Sequence, residues 1–575
     1  MMTKLIKDIV HGYIEFDQEY IDIINTPEFQ RLRNIRQTSY NSLYPSSSHD
    51  RFSHSLGVYA YGKYAFSNFV KNVKTDFADD PALKGIDWKQ KKRIFLRACL
   101  LHDVGHAPFS HTGEYFYLAK REPASTLARD QYIYQELVRA VDLPSFTKDF
   151  NDIQLKVDVA APHEIMSATV GIKVFLKTWP SVEKDLFARM IIGLRYDQKN
   201  TLESGINNAL IQLLNSSVID VDRLDYLARD RIMTGFENAS IDTDRLLASV
   251  CLTNNSTDDV NPKYHLGFYK NALSVIENVV VAHDGERKWI QSHAVVQYDS
   301  FLVQRCIRAI EDTYYRDDND IFSEKALSAD GIIINTKMKK GEQEVEHDLS
   351  VRFLCDADIL FLAKQIPMGN PYRPLIDEYF SRNDRKKAIW KSEAEYDLML
   401  REIGDTDRRR VLSWLDSLVD ALKPKEEYFD SHAIIINKQQ EDAIINGTKE
   451  KAKLGKEEGE HAKRFEKGIL KKMAVFKKLA DLYGIDYDFV ITYTSPFKSN
   501  VQKLISNDVL IKYKNFDLPK PVGEIINTYT LNDHSVLKND TTMKRIYFIY
   551  YKRKNGNIIQ SIDFIQRLKS AVVEK

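Results

Sequence analysis

The chain has 575 residues, more than a single hydrophobic core usually organises, so two or more domains are expected. Hydrophobic residues make up 43% and charged residues 29%, with 23 Gly and 16 Pro, which excludes a disordered or collagen-like chain and fits a helix-rich folded protein. The 82 basic side chains balance the 82 acidic ones, which excludes a global field able to recruit nucleic acid or an anionic membrane.

Any phosphate must therefore be held by a local cluster. The cysteines Cys99, Cys251, Cys306 and Cys355 are scattered without CxxC spacing, which argues against a zinc knuckle or disulfide framework and fits a reducing compartment. The first residues place charges where a signal peptide needs an apolar run, and no later stretch approaches about eighteen uninterrupted apolar residues. A cytoplasmic protein without a membrane partner is expected.

In chain order, Lys4 to Phe16 alternates apolar and polar residues around His11-Gly12, which predicts a short β-hairpin within residues 1–18. From Glu19 to about Glu311 the apolar residues recur three and four apart, and residues 19–311 are read as one helical domain. The turn from Tyr44 to Asp50 offers Asp50 or Ser53 as the cap of the next helix. Beyond Asp312 the texture changes, and residues 312–575 are read as a C-terminal α+β region. Within it, Lys337 to Asp348 is almost entirely polar and is expected to be a loop. The charged tract Gln439 to Lys472 is expected to be a solvated helix within about 439–480. Strand-like runs follow at Asp488 to Tyr493, Asp508 to Tyr513 and Arg545 to Lys552. The expected fold class is mainly α, with a short N-terminal hairpin and this α+β lobe.

The stretch RACLLHDVGHAPFSHTGE, Arg97 to Glu114, carries the strongest chemical signal. Ile94, Ala98 and Leu101 form a stripe for burial, and His102-Asp103 follows at the polar end before Gly105 and Pro108 break the helix. An adjacent imidazole and carboxylate suit a divalent transition metal. Two neighbours are too few ligands, so distant helices must add others. His54 in DRFSHSLGV and Asp222 in VIDVDRLDYLARD are the candidates, and His163-Glu164 repeats the pairing of a base with a carboxylate. Taken singly, each has a bland reading as a hydrogen-bonded structural histidine or the solvated acidic face of a helix.

The ordered set PEFQRLRNIRQ, SHDRFSHSLGV, LLHDVGHAPFSH, PHE and IDVDRLDYLARD resembles the HD-domain deoxynucleoside triphosphate triphosphohydrolases, the family of the SAM and HD domain-containing dNTPase and bacterial dGTPase-like proteins. The resemblance covers roughly residues 4 to 310 and implies an HD-superfamily helical catalytic core. It implies His54, His102, Asp103 and Asp222 as ligands of one iron, manganese or magnesium ion that polarises the α-phosphate and helps generate the attacking hydroxide. A second magnesium would accompany the triphosphate. It implies His106, His111 and His163 as catalytic histidines, with His111 protonating the leaving 5′ oxygen, and Glu114 and Glu164 orienting the imidazoles.

By the same resemblance Arg51, Arg223 and Tyr226 grip the triphosphate and the sugar, with Asp230 close by, and Gln37 hydrogen-bonds the deoxyribose 3′ hydroxyl. Thr38 stands where the family has an apolar side chain that limits ribose entry. Lys4, Gln30 and Arg33 match an allosteric nucleotide site in which Asn25 replaces a guanine-reading aspartate, so the activator's base is left open. Gln291 stands where the family offers a tyrosine, and Arg287 and Lys288 are further phosphate contacts. The implied reaction converts dNTP and water into deoxynucleoside and triphosphate, under nucleotide regulation, in a dimer or tetramer. Such an activity serves either dNTP pool balance or antiviral defence, and the residues do not choose. Two other readings stand beside it: an HD-domain phosphodiesterase or nucleotidase, and a non-catalytic nucleotide sensor or nucleic-acid-binding scaffold drawing on Lys337 to Lys340 and Lys467 to Lys472.

Overall fold

A computed structural model of the chain describes residues 3–117, 129–154, 160–197, 201–256, 262–314, 321–340, 343–423, 432–451, 456–497, 499–500, 509–514, 516, 518–525, 544–554 and 556–573. The fold is mainly α, as the apolar spacing predicts, with a few small sheets. It separates into two compact units, each assembled from three stretches: 1–286, 307–366 and 498–536 form the first, and 287–306, 367–497 and 537–575 the second. The expected cut near Asp312 is replaced by this interleaving. The helix Ala294–Tyr314 runs through that position unbroken, because the charges there sit on one helix rather than in a linker.

The first unit begins with the predicted hairpin, Thr3–Asp8 paired antiparallel with Gly12–Asp17. Asp8 turns the chain by accepting the backbone N–H groups of Val10 and His11 at 2.8 and 3.0 Å, and Gly12 takes a positive φ of 70°. The helix Arg51–Asp76 starts where Asp50 accepts the Ser53 N–H at 2.8 Å, so Asp50 is the cap. Helix Trp88–Leu101 buries Ile94, Ala98 and Leu101 as its stripe requires. Shorter helices at Pro162–Val170, Ser181–Ile192 and Leu202–Leu214 and the longer Val221–Thr234 complete the bundle.

Two sequence expectations change in this unit. Residues Lys337 to Asp348 are not a loop: Ile332–Lys340 and Gln343–Val351 pair as an antiparallel hairpin. Its register sets Lys337 opposite Glu346 and Lys339 opposite Glu344, so polarity here marks charge alternating along strands. The strand foreseen near Asp508 to Tyr513 occurs as Leu510–Lys512. It lies parallel to Tyr264–Tyr269 in a four-stranded sheet of the first unit, not among the other C-terminal strands.

The second unit holds the sheet Lys387–Ala388, Ile546–Tyr551, Asp488–Thr494 and Ala433–Asn437, in that spatial order. Ile546–Tyr551 is buried along its whole length, as a central strand with both faces covered must be. The charged tract is helical, Lys438–Lys451 and Lys456–Tyr483. Its later half packs Met473, Phe476 and Leu479 into the core with Trp390 and Phe564.

Candidate active site

Four side chains converge in the first unit. His102 caps the C-terminal end of Trp88–Leu101, where its Nδ1–H donates to the Cys99 carbonyl at 3.0 Å and turns Nε2 toward His54. His54, in the first turn of its helix and fully buried, donates Nδ1–H to Asp225 Oδ2 at 2.8 Å, so its Nε2 is the nitrogen turned toward Asp222 and His102. Asp222 sits in the first turn of Val221–Thr234, a helix capped by Asp220, which accepts the Arg223 N–H at 2.7 Å. Gly57, one turn after His54, permits this packing: a Cβ there would stand 1.9 Å from Asp225 Oδ1.

His54 Nε2 lies 3.3 Å from His102 Nε2, 2.9 Å from Asp222 Oδ1 and 3.6 Å from Asp103 Oδ2. His102 Nε2 is 3.5 Å from both Asp103 Oδ1 and Asp222 Oδ1. Ligands about 2.1 Å from one ion stand about 3.0 to 3.4 Å apart in octahedral or tetrahedral arrangements, so the spacing fits a small divalent cation. Burial would lower the His54 pKa, but hydrogen bonds to Asp222 and Asp225 raise it to about 9, so this imidazole holds a proton at neutral pH that a bound cation would displace. Burial would raise the Asp103 carboxyl, but Arg51, His102 and His54 bring it down to about 2. Asp222 is likewise held well below its usual range, against burial, by hydrogen bonds from His102 and His54. Two carboxylate charges therefore face the Nε2 atoms of His54 and His102. The Asp222 side chain is 40% exposed, which leaves this edge of the cluster open.

Beside it lie His106, His111 and His163, whose ring nitrogens fall within 4.8 Å of one another. Glu114 joins two of them, accepting from His111 Nδ1 at 3.1 Å and from His163 Nδ1 at 2.5 Å. Burial alone would lower the His163 pKa, yet the charge of Glu114 raises it to about 9, so this imidazole is cationic at neutral pH. The same pairing holds Glu114 well below the usual carboxylate range although burial opposes it. His106 stacks on His163 with ring centroids 4.1 Å apart, 16° from parallel. Its burial and the nearby positive charge of Arg51 keep it neutral, and neither of its ring nitrogens has a hydrogen-bond partner. Glu164 differs from the expectation. It accepts Ala161 N–H and Asn215 Nδ2–H, both at 2.8 Å, which makes it a helix cap rather than a partner of an imidazole.

Of the residues expected to hold substrate, Arg51 is buried and already engaged. It donates to Asp103 Oδ2 at 2.8 Å, Ser110 Oγ at 2.9 Å and the Gln37 carbonyl at 3.2 Å. A guanidinium has five N–H groups, so two remain. Gln37 is buried with its Oε1 unpartnered, and Thr38 lies 3.4 Å from Ser47 through their hydroxyls. Arg223 Nε donates to the Tyr226 hydroxyl at 3.3 Å. Asp230 and His49 approach to 2.6 Å without hydrogen-bond alignment. Burial pushes Asp230 up to about 7 and His49 down to about 4.

Of the expected allosteric set, Gln30 and Arg33 meet at 2.8 Å. Arg33 also lies over the Phe52 ring, while Lys4 and Asn25 are exposed. Arg287, Lys288 and Gln291 form a turn in the second unit.

Several residues that sequence reasoning passed over shape this site. Asp225 supports His54, and Asp8, His11 and Arg229 surround Asp225. Phe109 and Ser110 take positive φ of 59° and 52°, in the loop between His106 and His111. Asp356 pins that loop, accepting Phe109 N–H at 2.7 Å and Arg36 N–H at 3.1 Å. Only the i, i+4 spacing of Asp225 and Arg229 left a trace in the sequence.

No family model matches the chain. An uncharacterized protein of Mycoplasma genitalium is 28% identical over 286 residues, 49% of this chain and 54% of that protein. The uncharacterized protein YwfO of Bacillus subtilis is 30% identical over 248 residues, 42% of this chain and 43% of that protein. The deoxynucleoside triphosphate triphosphohydrolase SAMHD1 of Gallus gallus is 30% identical over 247 residues, 41% of this chain and 35% of that enzyme. Over part of its length the chain is thus similar both to deoxynucleoside triphosphate triphosphohydrolases and to uncharacterized proteins. The chain spans about half the length of the curated proteins it matches first. A crystal structure of a hypothetical protein from Aquifex aeolicus matches with a TM-score of 0.50 at 15% identity, covering 99% of this chain and 100% of that one, a likeness of fold alone. No helix among the described residues is long and apolar enough to cross a membrane.

Proposed function

We propose that this protein is a metal-dependent deoxynucleoside triphosphate triphosphohydrolase, releasing deoxynucleoside and triphosphate from dNTP and water. The observation that carries this reading is the closure of His54, His102, Asp103 and Asp222 into one donor set beside three histidines. When bound there, iron, manganese or magnesium supplies Lewis-acid activation of the α-phosphate and of a water. The chain's own residues do the rest. Glu114 fixes both Nδ1–H groups, so the Nε2 atoms of His111 and His163 are the ones available to substrate. His163, cationic at neutral pH, neutralises charge that develops on the phosphate oxygens. His111, the most exposed of the three, delivers its Nε2 proton to the leaving 5′ oxygen.

Arg51, locked by Asp103 and Ser110, turns its remaining N–H groups to a phosphate without an ordering cost. Arg223 binds the polyphosphate tail, Tyr226 packs near the sugar, and the unpartnered Gln37 Oε1 accepts from the 3′ hydroxyl. Asp230 completes the nucleoside side, and Thr38 sets the tolerance for ribose. Lys4, Asn25, Gln30 and Arg33 form a nucleotide activator site, and the working form is a homo-oligomer in the cytoplasm.

The test is a panel of the four dNTPs and four NTPs, singly and in pairs, with Mn²⁺ or Mg²⁺ and chromatography of the products. Inorganic triphosphate with deoxynucleoside is the expected result. Orthophosphate or nucleoside monophosphate as the phosphorus product would replace this reading with a phosphodiesterase or nucleotidase.

A further inference from the structure

The turn of the N-terminal hairpin reaches into the support of His54, although more than forty residues of chain separate them. His11 Nε2 lies 2.6 Å from Asp225 Oδ1, with the His11 side chain 8% exposed and Asp225 fully buried. The other oxygen, Asp225 Oδ2, accepts His54 Nδ1–H at 2.8 Å and Arg229 Nε–H at 3.0 Å. Arg229 in turn places Nη1 2.9 Å from Asp8 Oδ2. Asp8 is the residue that folds the hairpin turn through its other oxygen. The His11 ring rests edge-on against Tyr61, with centroids 4.3 Å apart, so it is held from two sides. One carboxylate is thus shared by the hairpin, by Arg229 and by the imidazole whose opposite nitrogen faces the donor set.

We propose that Asp8 and His11 are positioning residues for the metal ligand His54, acting through Asp225, so that the seating of the hairpin turn sets the affinity of the site for its cation. The inference rests on the reading that His54 ligates a metal. A carboxylate behind a ligating imidazole fixes its tautomer and ring angle, and losing such a partner lowers metal affinity by about 10- to 100-fold. Here that carboxylate has no fixed position of its own. Its Oδ1 is met by His11 at 2.6 Å and by Arg229 Nη2–H at 3.1 Å, its Oδ2 by Arg229 Nε–H at 3.0 Å, and Asp8 holds Arg229. Release of the turn would remove His11 from Oδ1 and Asp8 from Arg229, leaving the Arg229–Asp225 pair free to shift and the His54 ring with it.

The test compares full-length wild type with His11→Ala, His11→Gln and Asp8→Asn. Mn²⁺ affinity is read by electron paramagnetic resonance titration, and melting is followed with Mn²⁺ and with chelator. The expected result is a loss of Mn²⁺ affinity of about 10-fold or more in His11→Ala and Asp8→Asn. His11→Gln, which keeps a donor toward Asp225, recovers most of it. The rise in melting temperature produced by Mn²⁺ should shrink in the two weakened variants. A purely structural role for the turn would lower both melting curves equally and leave Mn²⁺ affinity unchanged, and that result overturns the proposal. Because Asp225→Asn strands buried Arg229 and risks unfolding, the hairpin variants carry the test. If wild type binds no Mn²⁺, or His102→Ala binds it undiminished, the metal reading itself fails, an outcome distinct from intact binding in His11→Ala.

Discussion

Where the second unit buries Trp390, Tyr396, Phe476, Phe489 and Phe564 around an apolar sheet, the first unit buries Asp8, Arg51, His54, Asp103, His106, Asp225 and Arg229 within one neighbourhood. The apolar cluster of the second unit holds itself together by excluding water from hydrocarbon. The charged cluster of the first unit takes charges out of water at several kcal/mol each, and keeps them only by pairing and hydrogen bonding them. Stability and chemistry are therefore written in different residues. Substitutions at these apolar residues should move melting, and substitutions at these charged ones should move catalysis and cation binding.

The sharpest break of that contrast is the double variant His102→Ala with Asp103→Ala. It should lower dNTP turnover by at least about a thousandfold, the scale of about 4 kcal/mol for a lost preorganised charge, while circular dichroism stays native. Residual turnover near wild type would show that the cluster is not the reaction centre. In the second unit, Trp390→Ala removes a fully buried ring whose Nε1–H donates to the Tyr547 carbonyl at 2.6 Å. Chemical denaturation should register a loss of about 3 to 5 kcal/mol, with Mn²⁺ affinity retained.

Glu114→Gln should cost about a hundredfold in turnover and change its pH profile. His163 is raised in the folded state, so the stability its proton contributes is complete below about 6.5, the ordinary histidine value, and is lost as pH rises through about 9. Activity that needs this proton should fall above pH 9 in wild type and at lower pH in the variant. An unmoved alkaline limb would remove His163 from the mechanism. The smallest effect is expected from Asp50→Ala, which uncaps the helix carrying His54 and should cost about 1 kcal/mol of stability by thermal denaturation.

The legible parts of this molecule are those in which neighbours in sequence are neighbours in space. Ile94, Ala98 and Leu101 announce a buried stripe, and the His102-Asp103 pair follows at its end, so local periodicity locates it. The hairpin around His11-Gly12 and the strand at Ile546–Tyr551 are visible for the same reason. Asp225 was hidden because it looks like any acidic residue on a helix until His11, 214 residues earlier, and His54, 171 residues earlier, arrive beside it. Glu164, next to a histidine in sequence, accepts at a helix terminus and from Asn215, partners that its neighbours in sequence do not announce. The polar hairpin at Ile332–Lys340 and Gln343–Val351 read as a loop because its strands lack the apolar alternation that marks a half-buried sheet.

The interleaving of the two units bears on how the protein is made. The chain passes between the units five times, and Leu510–Lys512 must pair with Tyr264–Tyr269 to finish a sheet of the first unit. A ribosome adds about 5 to 20 residues each second, so the early part of that sheet waits at least about ten seconds for its last strands to emerge. Truncation after residue 312 would leave the nascent sheet with an open edge, a template for aggregation.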